Sequence, residues 1–215
     1  MRWGALIAGV LFASSSFTAE AAVLDFVTEA NENERGLADG DSLVFDGINV
    51  TFSSGADNGF FAYLDDDFRG LPGGLGVCPE LEDGPGSECA ISGQDNIHLG
   101  ESVTLEFDEF LTLSQFSFSG DQHLDLNDNN TNTLLIAINN PDAFVQYTFA
   151  EAVNLVVAGV DLIRFAFDES ETGAAFYVNS ITANLEVSEV PLPAAAPLLL
   201  AGLGGLIFAR RRRKA

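Results

Sequence analysis

The stretch ESVTLEFDEFLTLSQFSF, residues 101–118, decides the fold. Val103, Leu105 and Phe107 alternate with other residues, and so do Leu111 with Leu113 and Phe116 with Phe118. Successive side chains of a strand point to opposite faces, so apolar residues at period two mark a strand with one buried face. Between Leu113 and Phe116 the parity slips by one, which a β-bulge near Ser114 explains by adding one residue to the strand. The same rhythm recurs at Ile48, Val50 and Phe52, at Leu134, Ile136 and Ile138, at Val145, Tyr147 and Phe149, and at Ile163, Phe165 and Phe167. A second slip separates Phe176 and Val178 from Ile181, Ala183 and Leu185. No comparable helical stripe interrupts the series. The pattern predicts an all-β domain, a single β-sandwich of eight to ten strands of jelly-roll type, with fifteen phenylalanines supplying much of its core.

Both ends of the 215-residue chain differ from this middle. Arg2 is followed by an apolar run over residues 3–13, too short to span a bilayer, then by Ser14, Ser15 and Ser16 and the small-residue site Ala19-Glu20-Ala21. This predicts a secretory signal peptide, a helix within residues 1–21, removed by signal peptidase after Ala21, the alternative being an uncleaved anchor. At the other end residues 190–209 carry no charge. As a helix of twenty residues they would reach about 30 Å, roughly the thickness of the hydrocarbon layer. Pro191, Pro193 and Pro197 disfavour a helical interior, so the transmembrane helix is expected over about 194–209. Arg210, Arg211, Arg212, Arg213 and Lys214 then hold the tail on the cytoplasmic side and place everything before Val190 outside.

The secreted part, residues 22–189, has 168 residues, enough for one hydrophobic core. It holds thirty-one acids, three arginines and no lysine, a formal charge of −28. Such a surface excludes nucleic acid as a partner and repels anionic lipid and acidic polysaccharide unless divalent cations bridge them. Dense carboxylates also keep a protein soluble in salty or Ca²⁺-rich surroundings. Turn residues cluster over 30–41, 53–59, 65–96, 121–132, 139–142 and 168–173. The segment 65–96 is longer than a compact domain usually leaves without structure, so it is functional or tied down. Cys78 and Cys89 lie within it, and in an oxidising compartment a disulfide between them is the default, worth roughly 2–3 kcal/mol. Zinc is disfavoured because the chain has only His98 and His123 as further ligands of the usual kind. A catalytic thiol is disfavoured because it would leave one of the two cysteines unpaired.

The C-terminal tail resembles a bacterial surface-sorting signal, the VPLPA variant of the PEP-CTERM signals processed by exosortase-type membrane proteases. The residues that carry the likeness are Val190, Pro191, Leu192, Pro193 and Ala194, the apolar run over 197–206, and the cluster Arg210 to Arg213. Val-Pro-Leu-Pro stands where the better-known variant has Pro-Glu-Pro. The resemblance implies export, anchoring in the inner membrane with the domain outside, cleavage at the motif, and delivery to the cell surface or extracellular matrix of a Gram-negative-type bacterium. A plain stop-transfer anchor is the alternative. The domain is also similar to the extracellular domains such proteins carry, through Gly74-Leu75-Gly76-Val77-Cys78 to Cys89, Gln94-Asp95-Asn96-Ile97, residues 101–107 and residues 176–181. That likeness implies a small β-sandwich with no assigned reaction.

Motifs of catalysis are missing from the sequence: no G-x-S-x-G, no H-E-x-x-H, no phosphate-cradling glycine loop and no C-x-x-C. A non-enzymatic role is expected. Calcium is the site hypothesis, because Asp125, Asn127 and Asn129 place oxygens on alternate residues as an EF-hand loop does, with Asp121 and His123 beside them. Asn130 stands where that loop needs glycine, and Ile136 where it needs glutamate. An Asn/Asp turn satisfying its own backbone is the alternative. The triplet Asp65, Asp66 and Asp67 is equally ambiguous, since adjacent acids repel unless solvated or bridged by a cation. Two functions follow: a surface or matrix protein associated with exopolysaccharide, or a Ca²⁺-assisted glycan-binding module or adhesin. For the second, Phe60, Phe61, Tyr63 and Phe68 are candidates to stack on a sugar face.

Overall fold

The computed structural model describes residues 21–54, 59–91, 93–127 and 130–186. The signal peptide and the sorting tail expected from the sequence lie outside these, apart from Ala21. Among the described residues no helix is long and apolar enough to cross a membrane.

Among the described residues eleven strands and two short helices follow in the order β1 (Ala22–Asp25), α1 (Phe26–Glu32), β2 (Arg35–Leu37), β3 (Ser42–Phe45), β4 (Ile48–Ser54), β5 (Phe61–Asp65), β6 (Gly74–Cys78), β7 (Ser102–Gly120), β8 (Thr133–Ile138), β9 (Val145–Thr148), α2 (Phe149–Ala152), β10 (Val157–Phe167) and β11 (Phe176–Leu185). All these strands join one hydrogen-bonded network whose main path runs β2-β5-β6-β11-β7-β10-β8-β9, with β1 on β11, β3 on β4 and β4 on β7. Every pairing between them is antiparallel.

The organising strand is β7, whose two ends have different neighbours. Val103 to Phe107 pairs with β4, and Leu111 to Gly120 pairs with β11. The change falls at Asp108, Glu109 and Phe110, which are exposed and lie where the register with β10 jumps from Leu111 to Glu106. Both parity slips correspond to bulges. Ser180 faces Ser117 but Thr182 faces Ser114, so β7 carries one extra residue there, and Gln115 takes φ 50° to accommodate it. Val178 faces Phe118 while Ser180 faces Ser117, so β11 carries its own extra residue beside it. The two bulges offset each other and restore the register.

The alternation seen in the sequence is the buried face. Val50, Phe52, Val103, Leu105, Leu111, Leu113, Phe118, Ile136, Ile163, Phe165, Phe176 and Ile181 share one core, with Phe118 edge-on to Phe149, Phe165 and Phe176. The run Val145, Tyr147, Phe149 departs from the expectation. Val145 is exposed because β9 ends the sheet, and Phe149 enters the core as the first residue of α2. A capping box turns the chain there: Thr148 Oγ1 accepts from Glu151 N, and Glu151 Oε2 accepts from Thr148 N.

Segment 65–96 is not a loop throughout, because it contains β6. Glycines hid this strand. A Cβ at Gly76 would lie 1.9 Å from the carbonyl oxygen of Asp95, and one at Gly74, where φ is +134°, 2.7 Å from that of Val178. The residues that weaken strand propensity are the ones that let two backbones come this close.

A candidate cation-binding cleft

The cleft opens where the ends of β5, β7 and β11 meet. Arg35 pairs with Leu64, so Glu34, one step before β2, falls opposite Asp65. An ion pair from Arg35 to Glu29 at 2.6 Å ties this corner to α1. Beyond Asp65 the chain reverses through Phe68 and Leu71, which exchange two backbone hydrogen bonds of 3.0 Å across Arg69 and Gly70, both with positive φ. The turn leaves Phe68 54% exposed at the rim, with the Arg69 guanidinium 4.8 Å from its ring centre. From β11 comes Tyr177, and from the turn after β7 comes His123, its ring centre 5.1 Å from that of Tyr177. Asp65, Phe68, Arg69, His123 and Tyr177, together with Asp66, Leu71, Asp95, Asp121 and Leu124, line a cavity of about 550 Å³, and Glu34 adjoins Asp65 outside that lining.

Asp65 is the unusual group. It is 6% exposed, and its Oδ2 accepts no hydrogen bond. The nearest basic atom is His123 Nε2 at 3.3 Å. Burial, then the charges of Asp95 and Glu34, push its carboxyl up to about 8, against the lowering effect of the nearby Tyr177 hydroxyl, which donates to Asp95 Oδ1 at 2.5 Å. Burial also raises Glu34, with repulsion from Asp66, Glu88 and Asp95 adding to it and a hydrogen bond from the Tyr63 hydroxyl opposing it. Carboxylate oxygens of Glu34, Asp65 and Asp66 all lie within 4.8 Å of one another.

The candidate residues divide. Asp65, Asp66 and Asp121 line the cleft. Asp67 does not join the cluster; it is exposed and its backbone N–H donates to Asn31 Oδ1 at 2.9 Å. Asp125 and Asn127 spend oxygens on their own turn: Asp125 Oδ1 accepts from Asn127 N at 2.8 Å, and Asn127 Oδ1 accepts from Phe118 N at 2.8 Å. Asn129 lies outside the described residues. Cys78 and Cys89 form the disulfide, their Cα atoms 5.9 Å apart.

Tyr63 is a correction. It is fully buried, donates to Glu34 and accepts from Cys89 N, so it cannot stack on a sugar. The cause is parity: β5 is covered on both faces at this point, by the core on one side and by the disulfide loop with Leu81 on the other. Phe60 packs on the main core and Phe61 on the disulfide cluster, so of these four aromatics only Phe68 is exposed. Glu34 and Asp95 were missed as site residues. Glu34 stands in a polar segment, ENERG, without periodicity, and only its place opposite Asp65 singles it out.

The site thus belongs to an antiparallel all-β, disulfide-containing acidic domain with a carboxylate cleft. The chain matches no protein-family model, no curated protein and no solved structure.

Proposed function

We propose that the chain is an exported, non-enzymatic surface or extracellular-matrix protein, associated with exopolysaccharide and sorted through its C-terminal tail. Signal peptidase would remove residues 1–21, and an exosortase-like membrane protease would cleave at Val190 to Ala194. The observation that carries this reading is the order within one chain of a leader ending in Ala19-Glu20-Ala21, an acidic domain, a Val-Pro-Leu-Pro-Ala motif, an apolar run and a cluster of five cations. The Cys78–Cys89 bond supports it, because structural disulfides persist in oxidising compartments. For the domain we propose a sandwich of jelly-roll type. The change of neighbours along β7 supports this, since strands that bend or bulge pass from one layer to the other at such corners. Mass spectrometry of protein recovered from the cell surface tests the sorting: the expected mature chain lacks Arg210 to Lys214, and surface protein that retains them overturns the cleavage.

A second reading, a glycan-binding module or adhesin, is favoured by one observation, exposed Phe68 at the rim of a cleft rich in carboxylates. A glycan array run with and without Ca²⁺ tests it. Saturable binding lost in Phe68→Ala supports the module, and binding indifferent to that substitution removes it.

A further inference from the structure

We infer that Glu34, Asp65 and Asp66 bind one hard divalent cation, calcium in the first instance, and that His123 is the positioning residue that holds Asp65 for it. The inference depends neither on the sorting tail nor on a sugar ligand.

Three observations converge. First, ligand oxygens stand about 2.3–2.6 Å from Ca²⁺, so oxygens on a single ion lie no more than about 5 Å apart. The three carboxylates meet this limit, all within 4.8 Å. Their exposure is graded: Asp65 is buried, Glu34 half-buried and Asp66 exposed, which leaves the outer side of an ion open to water. Second, Asp65 Oδ2 is buried without a hydrogen bond and faces other acids. An ionised carboxylate in that position lacks compensation, and a protonated one needs an acceptor for its proton. A cation satisfies the group directly. Third, and independent of the acids, His123 lines the same cleft, is only 8% exposed, and its Nδ1 has no hydrogen-bond partner. Its Nε2 lies 3.3 Å from Asp65 Oδ2, within ion-pair distance, and this is the contact that holds the carboxylate. Polar atoms are rarely buried unpaired, and one on each of two contacting side chains points to a site completed by something else. Arg69 does not serve, since its guanidinium lies on the Phe68 ring.

Two of the three tyrosines, Tyr63 and Tyr177, supply the readout. Tyr63 donates to Glu34 and Tyr177 stands beside Asp65, so an ion at this site lies within energy-transfer distance of both rings. The full chain in mild detergent is titrated with Tb³⁺, a Ca²⁺ surrogate, and excited through tyrosine. Saturable Tb³⁺ emission displaced by Ca²⁺ is expected. Asp66→Asn, an exposed substitution that leaves melting in chelator unchanged, should abolish it. His123→Gln should weaken apparent affinity by roughly tenfold, the usual scale for a residue behind a ligand. Asp125→Asn should leave it intact. Absence of sensitised emission, emission that survives Asp66→Asn, or emission lost equally in Asp125→Asn would each overturn the assignment.

Discussion

Asp65 and Asp168 are the same residue type with the same surface exposure, each 6% exposed, and their surroundings drive them in opposite directions. Asp168 follows β10 and collects donors: Thr133 Oγ1 and Gln146 Nε2 both at 2.5 Å, Ser170 N at 3.0 Å and Ser170 Oγ at 2.9 Å. Burial alone would raise its pKa, but the hydrogen bonds outweigh it and hold the carboxyl down at about 2. Asp65 ends β5 among acids, and with fewer donors burial prevails. Surface exposure alone therefore says little about a carboxylate; how much protein surrounds it and which donors reach it decide together whether it stabilises the fold or waits for a ligand.

Four expected outcomes sharpen or break this contrast. The largest concerns the wall behind the cleft. Gly76→Ala drives a Cβ into the Asp95 backbone and is expected to cost about 3 kcal/mol or more, whereas Gly120→Ala meets Leu126 at an ordinary 3.5 Å and should change stability by less than about 0.5 kcal/mol. Urea unfolding of the two variants measures the difference, and equal midpoints would refute the close approach.

Next comes the pair itself. Asp168→Ala strands several buried donors and is expected to cost about 2–3 kcal/mol. Asp65→Asn, measured in chelator, removes a buried carboxyl that burial and neighbouring acids hold against ionisation, and should be neutral or stabilising. If both substitutions destabilise alike, the contrast fails.

The pH profile follows from the same donors. Asp168 has its pKa lowered to about 2 from 3.8, so its stabilisation is full above 3.8 and is lost as pH falls through about 2. Glu101 shows the reverse: burial raises it from 4.5 to about 7, although its Oε2 accepts from His98 N. Its contribution is full below 4.5 and is lost as pH rises through about 7. Melting temperatures across this range should show both limbs, the acidic one missing in Asp168→Asn and the neutral one reduced in Glu101→Gln, with Asp65, raised from 3.8 to about 8, supplying what remains. The smallest expected loss is Asp125→Ala, which removes one exposed turn acceptor and should cost about 1 kcal/mol, above only the near-neutral controls. A larger loss would mean that this turn does more than satisfy its own backbone.

Much of the fold was legible from spacing. Both slips along residues 101–118 and 176–185 correspond to bulges, and their facing positions explain why each strand needs one. The cysteine pair was legible because two cysteines eleven residues apart in a turn-rich segment have few other partners. Strands β1, β2, β3, β5 and β6 were less so. The short ones offer too few residues to establish a period, and Gly74 and Gly76 trade propensity for close backbone contact. The aspartates of 65–67 and those of 121–127 resemble each other in composition. Only hydrogen bonding separates them, and a list of residues does not record which oxygens a backbone has already taken.

Alternation is a local property of the chain, so the sequence by itself determined that this domain is built of antiparallel strands around a phenylalanine-rich core and where two of those strands must bulge. The charge and the two distinctive ends are likewise properties of composition and order. That Glu34 meets Asp65, that His123 arrives behind it from a turn 58 residues away in the chain, and that Tyr63 faces inward were decided by the tertiary structure alone. The physical reason is register: the pairing of β2 with β5 and the course of β7 bring these groups together, and a shift of one residue in either would send the same side chains to opposite faces.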